Sequence, residues 1–165
     1  MTQTSFQKNS FFSSTIEETY AIAQQLVKSL EGHGTLSLEG PLGAGKTHFV
    51  KGAAIALGLQ DAVTSPTFTL LQSYGAPGQR LHHFDFYRLN NETEAIDLGL
   101  DDYFKDGLTI IEWGDKFPSL LPPETIRVSI NPLENEIREI SWHRLPLMSN
   151  EVTEKKENAK VAKNR

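Results

Sequence analysis

The sequence predicts a small α/β domain with a central mixed or parallel sheet, flanked by helices and β-hairpins. Segments whose apolar residues recur at helical spacing interleave with short β-rich segments, which is typical of this class. A glycine-rich loop joins one predicted strand directly to one predicted helix. The 165 residues, 38% of them hydrophobic and 22% charged, are enough to enclose one globular core.

Composition divides the chain into three parts. Residues 1–12 predict a loose N-terminal lead-in, and residues 13–148 contain the predicted helices and strands of one domain. Residues 149–165 are polar and rich in Lys and Glu, so we expect a disordered tail there.

The first half of the domain predicts a helix, a strand and a second helix. Ser13, Ser14 or Thr15 can cap the first helix, whose apolar residues recur at helical spacing as far as Leu30. The alternating segment 35–39 predicts a short strand. The segment 46–57, after the glycine loop, predicts the second helix.

The second half predicts two hairpins with a short acidic helix and a buried strand between them. Each hairpin is indicated by two β-rich or alternating segments that flank turn residues. In chain order these elements are the hairpin 63–74 with 81–87, the helix 92–100, the strand 108–113, and the hairpin 126–130 with 137–142.

Composition also excludes several classes of site. The chain has no cysteine, which rules out disulfides, thiolate zinc sites and cysteine nucleophiles. The first ten residues lack the apolar core of a signal peptide, and no apolar run approaches the roughly 18 residues that cross a membrane. We therefore expect a cytoplasmic protein without a membrane segment.

Charge is spread unevenly along the chain. Residues 1–150 carry 11 basic and 18 acidic side chains, whereas residues 151–165 carry five basic and three acidic ones. An acidic body binds a polyanion poorly without help. The sequence therefore does not predict a stand-alone nucleic-acid binder.

The glycine loop matches the phosphate-binding pattern G-x-x-x-x-G-K-[ST]. Its glycines allow successive backbone N–H groups to point at phosphate oxygens, and the following helix presents its positive end to the same anion. We expect the lysine to bridge β- and γ-phosphates and the threonine to ligate Mg²⁺. The residues expected to bind the nucleotide are Gly40, Pro41, Leu42, Gly43, Ala44, Gly45, Lys46 and Thr47.

Two carboxylates are placed to complete a Mg-nucleotide site. Such a site needs a carboxylate at the end of a neighbouring strand, and burying one without a partner is costly. Glu112 ends the apolar segment L-T-I-I-E, and Asp85 lies within the β-rich segment H-H-F-D-F-Y-R. We expect both to hold the metal, its waters or the attacking water. A structural ion pair, with Arg88 in the case of Asp85, is the alternative.

The remaining candidates each have two interpretations. His48 could contact the α-phosphate through a ring nitrogen or face solvent. The segment 65–67 (S-P-T) could sense the γ-phosphate or form an ordinary turn. His82 and His83 are expected in core or surface roles, and Trp113 in packing.

Together these motifs resemble the TsaE family (formerly YjeE), bacterial P-loop ATPases needed to make threonylcarbamoyladenosine in tRNA. The resemblance covers about residues 13–142, and the matching stretches also keep the order and spacing of the family. They are L-E-G-P-L-G-A-G-K-T, S-P-T-F-T-L, H-F-D-F-Y-R-L, D-L-G-L-D-D-Y-F and I-E-W.

The resemblance implies a P-loop fold, slow hydrolysis of ATP with Mg²⁺, and docking on the TsaB–TsaD heterodimer, with tRNA engaged only indirectly. By resemblance, Lys46 and Thr47 bind phosphate and Mg²⁺, Glu112 belongs to the metal site, and Asp85 lies at the nucleotide. The segment that includes Thr15 is expected near the adenine.

The chain departs from the family pattern at two positions. Pro41 stands where the family usually has Asp, and His48 stands where it usually has a second Thr. Either change could alter nucleotide affinity.

Two other functions are compatible with a phosphate-binding loop. A small-molecule kinase needs an acceptor pocket and usually an arginine-bearing lid, and the six arginines do not cluster after the core strands. A nucleotide-dependent binding module would hydrolyse ATP only incidentally. Because no arginine finger is evident near the loop, we expect slow, partner-dependent turnover.

Overall fold

The computed structural model describes residues 9–59, 63 and 70–144. Within these residues, seven strands form a single sheet. They are β1 (Asn9–Ser13), β2 (Gly34–Glu39), β3 (Leu71–Tyr74), β4 (Leu81–Asp85), β5 (Leu108–Glu112), β6 (Ile126–Pro132) and β7 (Arg138–Arg144).

The sheet is mixed, with the strand order β1-β7-β6-β2-β5-β4-β3. Its four central strands, β6, β2, β5 and β4, run parallel to one another. The hairpins β3–β4 and β6–β7 and the edge strand β1 pair antiparallel. The predicted α/β class and the second hairpin are therefore confirmed, and the first hairpin is confirmed for residues 71–74 paired with 81–85. Parallel central strands bring their carboxyl ends to one edge, where α/β proteins usually bind ligands.

Two helices, α1 (Ile16–Ser29) and α2 (Lys46–Ala56), pack together against one face of the sheet. Gly52 allows their close approach, because a Cβ there would lie 2.8 Å from the Cα of Tyr20 and from the Cβ of Ala23. Apolar side chains of both helices and of β2 form the core between them. This packing anchors α2, whose first residue is Lys46. No helix in the described part of the chain is long and apolar enough to span a bilayer.

The opposite face of the sheet carries a second core. It contains Phe84, Phe86 and Ile111, which pack with the short helices α3 (Glu92–Ile96) and α4 (Leu100–Tyr103). Two 3-10 turns, Gly114–Lys116 and Pro118–Leu120, follow β5. The sheet is thus covered on both faces, as expected for a sheet with a parallel centre.

The structure corrects two sequence predictions. Residues 9–12 are not a loose lead-in, because they belong to β1, which pairs with β7. The acidic segment 92–100 is not one helix, because Gly99 adopts a left-handed conformation (φ 73°) and separates α3 from α4. The segment 65–67 and the tail 149–165 lie outside the described residues, so the predictions for them are untested.

Candidate functional site

The glycine loop joins the carboxyl end of β2 to the first turn of α2. Gly43 and Gly45 have positive φ angles of 77° and 105°, which L side chains rarely adopt. At the base of the loop, the N–H of Ala44 donates to the carbonyl of Pro41. Gly45 is the N-cap of α2 and no side chain caps that end, so the backbone N–H groups of the first turn remain for a ligand.

Lys46 is buried at the centre of this loop, with 6% of its surface exposed. Its Nζ donates to the carbonyls of Gly40 and Pro41, at 2.7 and 3.0 Å, and lies 4.3 Å from the centre of the Trp113 ring. Burial lowers the pKa of Lys46, and the negative charges of Glu112, Asp85 and Asp115 oppose that shift. Negative charge in the cavity therefore stabilises the charged ammonium.

Asp85 and Glu112 are direct neighbours at the carboxyl ends of β4 and β5. The two residues pair in register, and Leu38 of β2 pairs with Glu112 on its other side. Oδ1 of Asp85 accepts a hydrogen bond of 2.9 Å from the N–H of Tyr87. Burial raises the pKa of Asp85 and the charge of Glu112 adds to the rise, whereas the Tyr87 N–H, His83 and Lys46 lower it. Two adjacent carboxylates, close to the loop lysine, thus share a partly desolvated site.

A cavity of about 410 Å³ lies between the loop and these carboxylates. This volume is within the range of small-molecule sites. Of the predicted nucleotide and metal residues, it is lined by Leu42, Gly43, Ala44, Gly45, Lys46, Thr47, His48, Asp85 and Glu112. The structure therefore brings most of the sequence-predicted residues to one place.

Three of the predicted residues do not line this cavity. Gly40 and Pro41 border a separate depression beside β6, although their carbonyls accept the Lys46 hydrogen bonds. Thr15 caps α1 through a 3.1 Å hydrogen bond from the N–H of Glu18. It lines a neighbouring cavity of about 370 Å³, which shares Arg138 with the main cavity.

His48 lines the cavity with its side chain partly exposed. Its Nδ1 is buried and has no hydrogen-bond partner among the described residues. Burial lowers its pKa, and the positive charges of Lys51 and Arg138 act in the same direction. His48 therefore borders the predicted phosphate site with a ring nitrogen to which the described residues give no partner.

The cavity also contains residues that sequence reasoning did not place there. Arg138, from β7, donates from Nε to the carbonyl of Ala44 at 2.7 Å, and Arg88 lines the wall near Asp85. Trp113, expected only in packing, lies over Lys46 and has a left-handed backbone with φ 61°. Arg138 has no local sequence signal, because only closure of the β6–β7 hairpin brings it to the loop.

The donor atoms around the cavity fit a magnesium–nucleotide complex. No group of three or more His, Asp or Glu side chains among the described residues could hold a metal ion on its own. Mg²⁺ prefers oxygen, keeps several waters, and is usually bound by one or two carboxylates together with substrate phosphates. Thr47, Asp85 and Glu112 provide a hydroxyl and two carboxylates in one cavity, beside a loop suited to phosphate.

Comparison with known proteins agrees with this geometry. Residues 13–140 match the family model described as "Threonylcarbamoyl adenosine biosynthesis protein TsaE". Similar proteins named "tRNA threonylcarbamoyladenosine biosynthesis protein TsaE" occur in several bacteria. The protein of Bacillus subtilis is 42% identical over 127 residues, which cover 76% of this chain and 79% of that protein. The protein of Treponema pallidum is 42% identical over 113 residues, covering 68% and 83%.

A solved structure has the same fold. The crystal structure of YdiB from Bacillus subtilis superimposes with a TM-score of 0.70 and 30% sequence identity. The match covers 94% of this chain and 97% of that one. With a P-loop fold and a family match that spans most of its length, the chain belongs to the TsaE family of threonylcarbamoyl adenosine biosynthesis proteins.

Proposed function

We propose that this chain is a Mg²⁺-dependent ATP-binding protein and slow ATPase that acts with the TsaB–TsaD complex in the cytoplasm. The observation that carries the proposal is the pair of in-register carboxylates that faces the glycine loop across one cavity. A phosphate loop alone would support binding only, whereas carboxylates beside it also supply what hydrolysis needs. The relatives named for tRNA threonylcarbamoyladenosine biosynthesis support the choice of pathway.

The loop and its helix bind the phosphates in this proposal. Backbone N–H groups between Gly43 and Thr47 and the N-terminal end of α2 attract the anion, and the Lys46 ammonium reaches the β- and γ-phosphates. His48, which lines the same cavity, would contact the α-phosphate through a ring nitrogen in this proposal. The neighbouring cavity beside Thr15 is the proposed place of the adenine.

Hydrolysis requires a positioned water and a stabilised negative charge. Thr47 and Glu112 would hold Mg²⁺, and the bound ion would neutralise charge on the phosphates. Asp85 pairs with Glu112. In this proposal it would orient a metal-bound water or the water that attacks the γ-phosphate in line. Lys46 and the loop amides stabilise the charge that develops in the transition state.

The partner assignment fits the charge of the chain. An acidic body of residues 1–150 is poorly suited to hold tRNA by itself. We therefore propose that tRNA is engaged only indirectly, through TsaB–TsaD, and that this complex accelerates turnover.

ATP hydrolysis by the purified chain, alone and with TsaB–TsaD, tests this proposal. We expect slow turnover alone and faster turnover with the partners, and we expect Lys46→Ala to abolish both. Lys28→Ala is the matched control, because Lys28 is exposed in the last turn of α1, outside the cavity lining.

Each of the other outcomes would point to a different function. ATP binding without hydrolysis under any of these conditions would favour a nucleotide-dependent binding module. Transfer of the γ-phosphate to a small molecule would favour a kinase. Equal turnover by wild type and Lys46→Ala would refute the proposed site.

A further inference from the structure

A buried histidine lies behind Glu112, outside the cavity lining. Nε2 of His83 is 2.8 Å from Oε2 of Glu112, and the two residues are 0% and 5% exposed. Hydrogen bonds to ionised groups are stronger than those between neutral groups, and they weigh more where water is excluded. The contact therefore restrains the carboxylate from the protein side.

The strand register produces this contact. His83 precedes Asp85 by two residues in β4, so both side chains project from the same face of the sheet. Asp85 pairs with Glu112, and His83 pairs with Ile110, which precedes Glu112 by two residues in β5. His83, Asp85 and Glu112 consequently share the face that packs against α2.

The other ring nitrogen of His83 indicates where the proton is. Nδ1 is buried and has no hydrogen-bond partner among the described residues. A proton on Nδ1 would be a buried donor without an acceptor, which is costly. The Nε2–H tautomer avoids that cost and donates to Glu112. A hydrogen bond donated from Nε2–H orients the carboxylate from the protein side.

We propose that His83 is a positioning residue that holds Oε2 of Glu112, so that Oε1 is presented to a divalent cation or its water in the cavity. This inference rests on the proposed ATPase function. Residues that orient metal ligands by hydrogen bonds typically change metal affinity or activity by about 10–100-fold when they are replaced.

His82 provides a matched control on the same strand. It is 1% exposed, but it projects from the opposite face, and both of its ring nitrogens have partners, Ser73 and Asp106. Replacing His82 therefore disturbs a buried imidazole in the same strand without touching Glu112.

The experiment compares His83→Leu, His83→Gln and His82→Gln in the presence of TsaB–TsaD. Leucine removes the donor at similar volume, whereas the amide N–H of glutamine replaces Nε2–H. We expect His83→Leu to lower kcat about 10–100-fold and to raise the Mg²⁺ concentration for half-maximal rate, with little change in the KM for ATP. His83→Gln should recover much of the loss, and the folded fraction of His82→Gln should keep wild-type kcat.

A second measurement separates positioning from a general structural role. If His83 acts through Glu112, His83→Leu should lower kcat no further when Glu112→Gln is already present. A full additional loss in that background, or wild-type kcat and Mg²⁺ dependence in folded His83→Leu, would overturn the inference. If folded His83→Leu behaves like wild type but ATP turnover still requires Lys46 and Glu112, the proposed function would stand and only the role of His83 would be refuted. A wild type without turnover would refute the ATPase function itself.

Discussion

The carboxylates at the two ends of the β4–β5 strand pair have pKa values shifted in opposite directions. At the amino end, Asp106 accepts a 3.0 Å hydrogen bond from the N–H of Gly78 and lies 3.3 Å from His82 Nε2 and 3.6 Å from Arg80. The Gly78 N–H is the main cause of its lowered pKa, and His82 and Arg80 add to it. At the carboxyl end, burial instead raises the pKa of Asp85.

This difference distinguishes a charge that stabilises the fold, that of Asp106, from one that lies in the proposed functional site, that of Asp85. The ionised form of Asp106 has several donors in the folded state, so it favours folding. The ionised form of Asp85 loses solvent in the folded state and stands beside Glu112, so its charge opposes folding. The proposed cation site keeps its carboxylates incompletely paired, so we expect these charges to lower the stability of the fold at this end.

The largest expected effect is the loss of ATP hydrolysis on replacing Glu112, at the carboxyl end of β5. Glu112→Gln removes the charge proposed to hold the metal but keeps nearly the same shape. We expect kcat with TsaB–TsaD to fall by at least about 100-fold while ATP still binds. Single-turnover hydrolysis and equilibrium nucleotide binding measure the two quantities separately. The exposed Glu124→Gln is the control, and near wild-type hydrolysis by Glu112→Gln would remove Glu112 from the mechanism.

At the carboxyl end of β4, Asp85→Asn should lower the rate of ATP hydrolysis without lowering the stability of the fold. We expect kcat to fall about 10–100-fold, because an amide orients water less well than a carboxylate. The melting temperature at neutral pH should stay equal or rise, since Asn Oδ1 can still accept the Tyr87 N–H and the buried charge is gone.

The sign of the pH dependence checks this second expectation. A carboxyl whose folded pKa lies above the ordinary 3.8 binds more protons in the folded state, so wild-type stability falls as pH rises through that window. The difference in melting temperature between wild type and Asp85→Asn should therefore shrink below pH 3.8. A large loss of stability in Asp85→Asn at pH 7 would contradict the proposed division between the two ends.

The smallest expected effect concerns the amino end. Asp106→Asn should leave ATP hydrolysis unchanged and lower the melting temperature at neutral pH. Because the folded pKa of Asp106 is below 3.8, its contribution is complete above that value and disappears as pH falls through the folded pKa. Melting curves at pH 7 and in acid should show the deficit only at the higher pH. A deficit that is equal at both would mean that charge is not its cause.

Much of the fold was readable from local patterns. Helical spacing of apolar residues predicted α1 and α2, and the glycine pattern predicted the loop between β2 and α2. β1 was missed because N-S-F-F-S has little strand character by itself, and its partner β7 is more than a hundred residues away. Phe11 stacks on Trp142 across that pair, a contact that no local pattern could show.

The sequence predicts most residues of the candidate site but not the contacts between them. The loop motif predicts Lys46 and Thr47. Strand-end position predicts Glu112, and a place within a β-rich segment predicts Asp85. The structure gathers all four around one cavity. The partner of Glu112 is His83, which sequence reasoning assigned only to a core or surface role. The contact depends on how β4 aligns with β5, and sequence does not encode such an alignment locally. The position of Arg138 could not be predicted for a similar reason, because the β6–β7 hairpin brings it to the glycine loop.

Because the site depends on the shared register of β4 and β5, it also depends on the number of residues in each strand. Successive side chains point to opposite faces, so an insertion or deletion of one residue within either strand would exchange its two faces. In β5, a deletion between Leu108 and Glu112 would turn the carboxylate away from Asp85 and toward the core of Phe84 and Phe86. A single substitution changes one side chain and leaves the register of the others intact. Changes of length in relatives should therefore fall in the loops on either side.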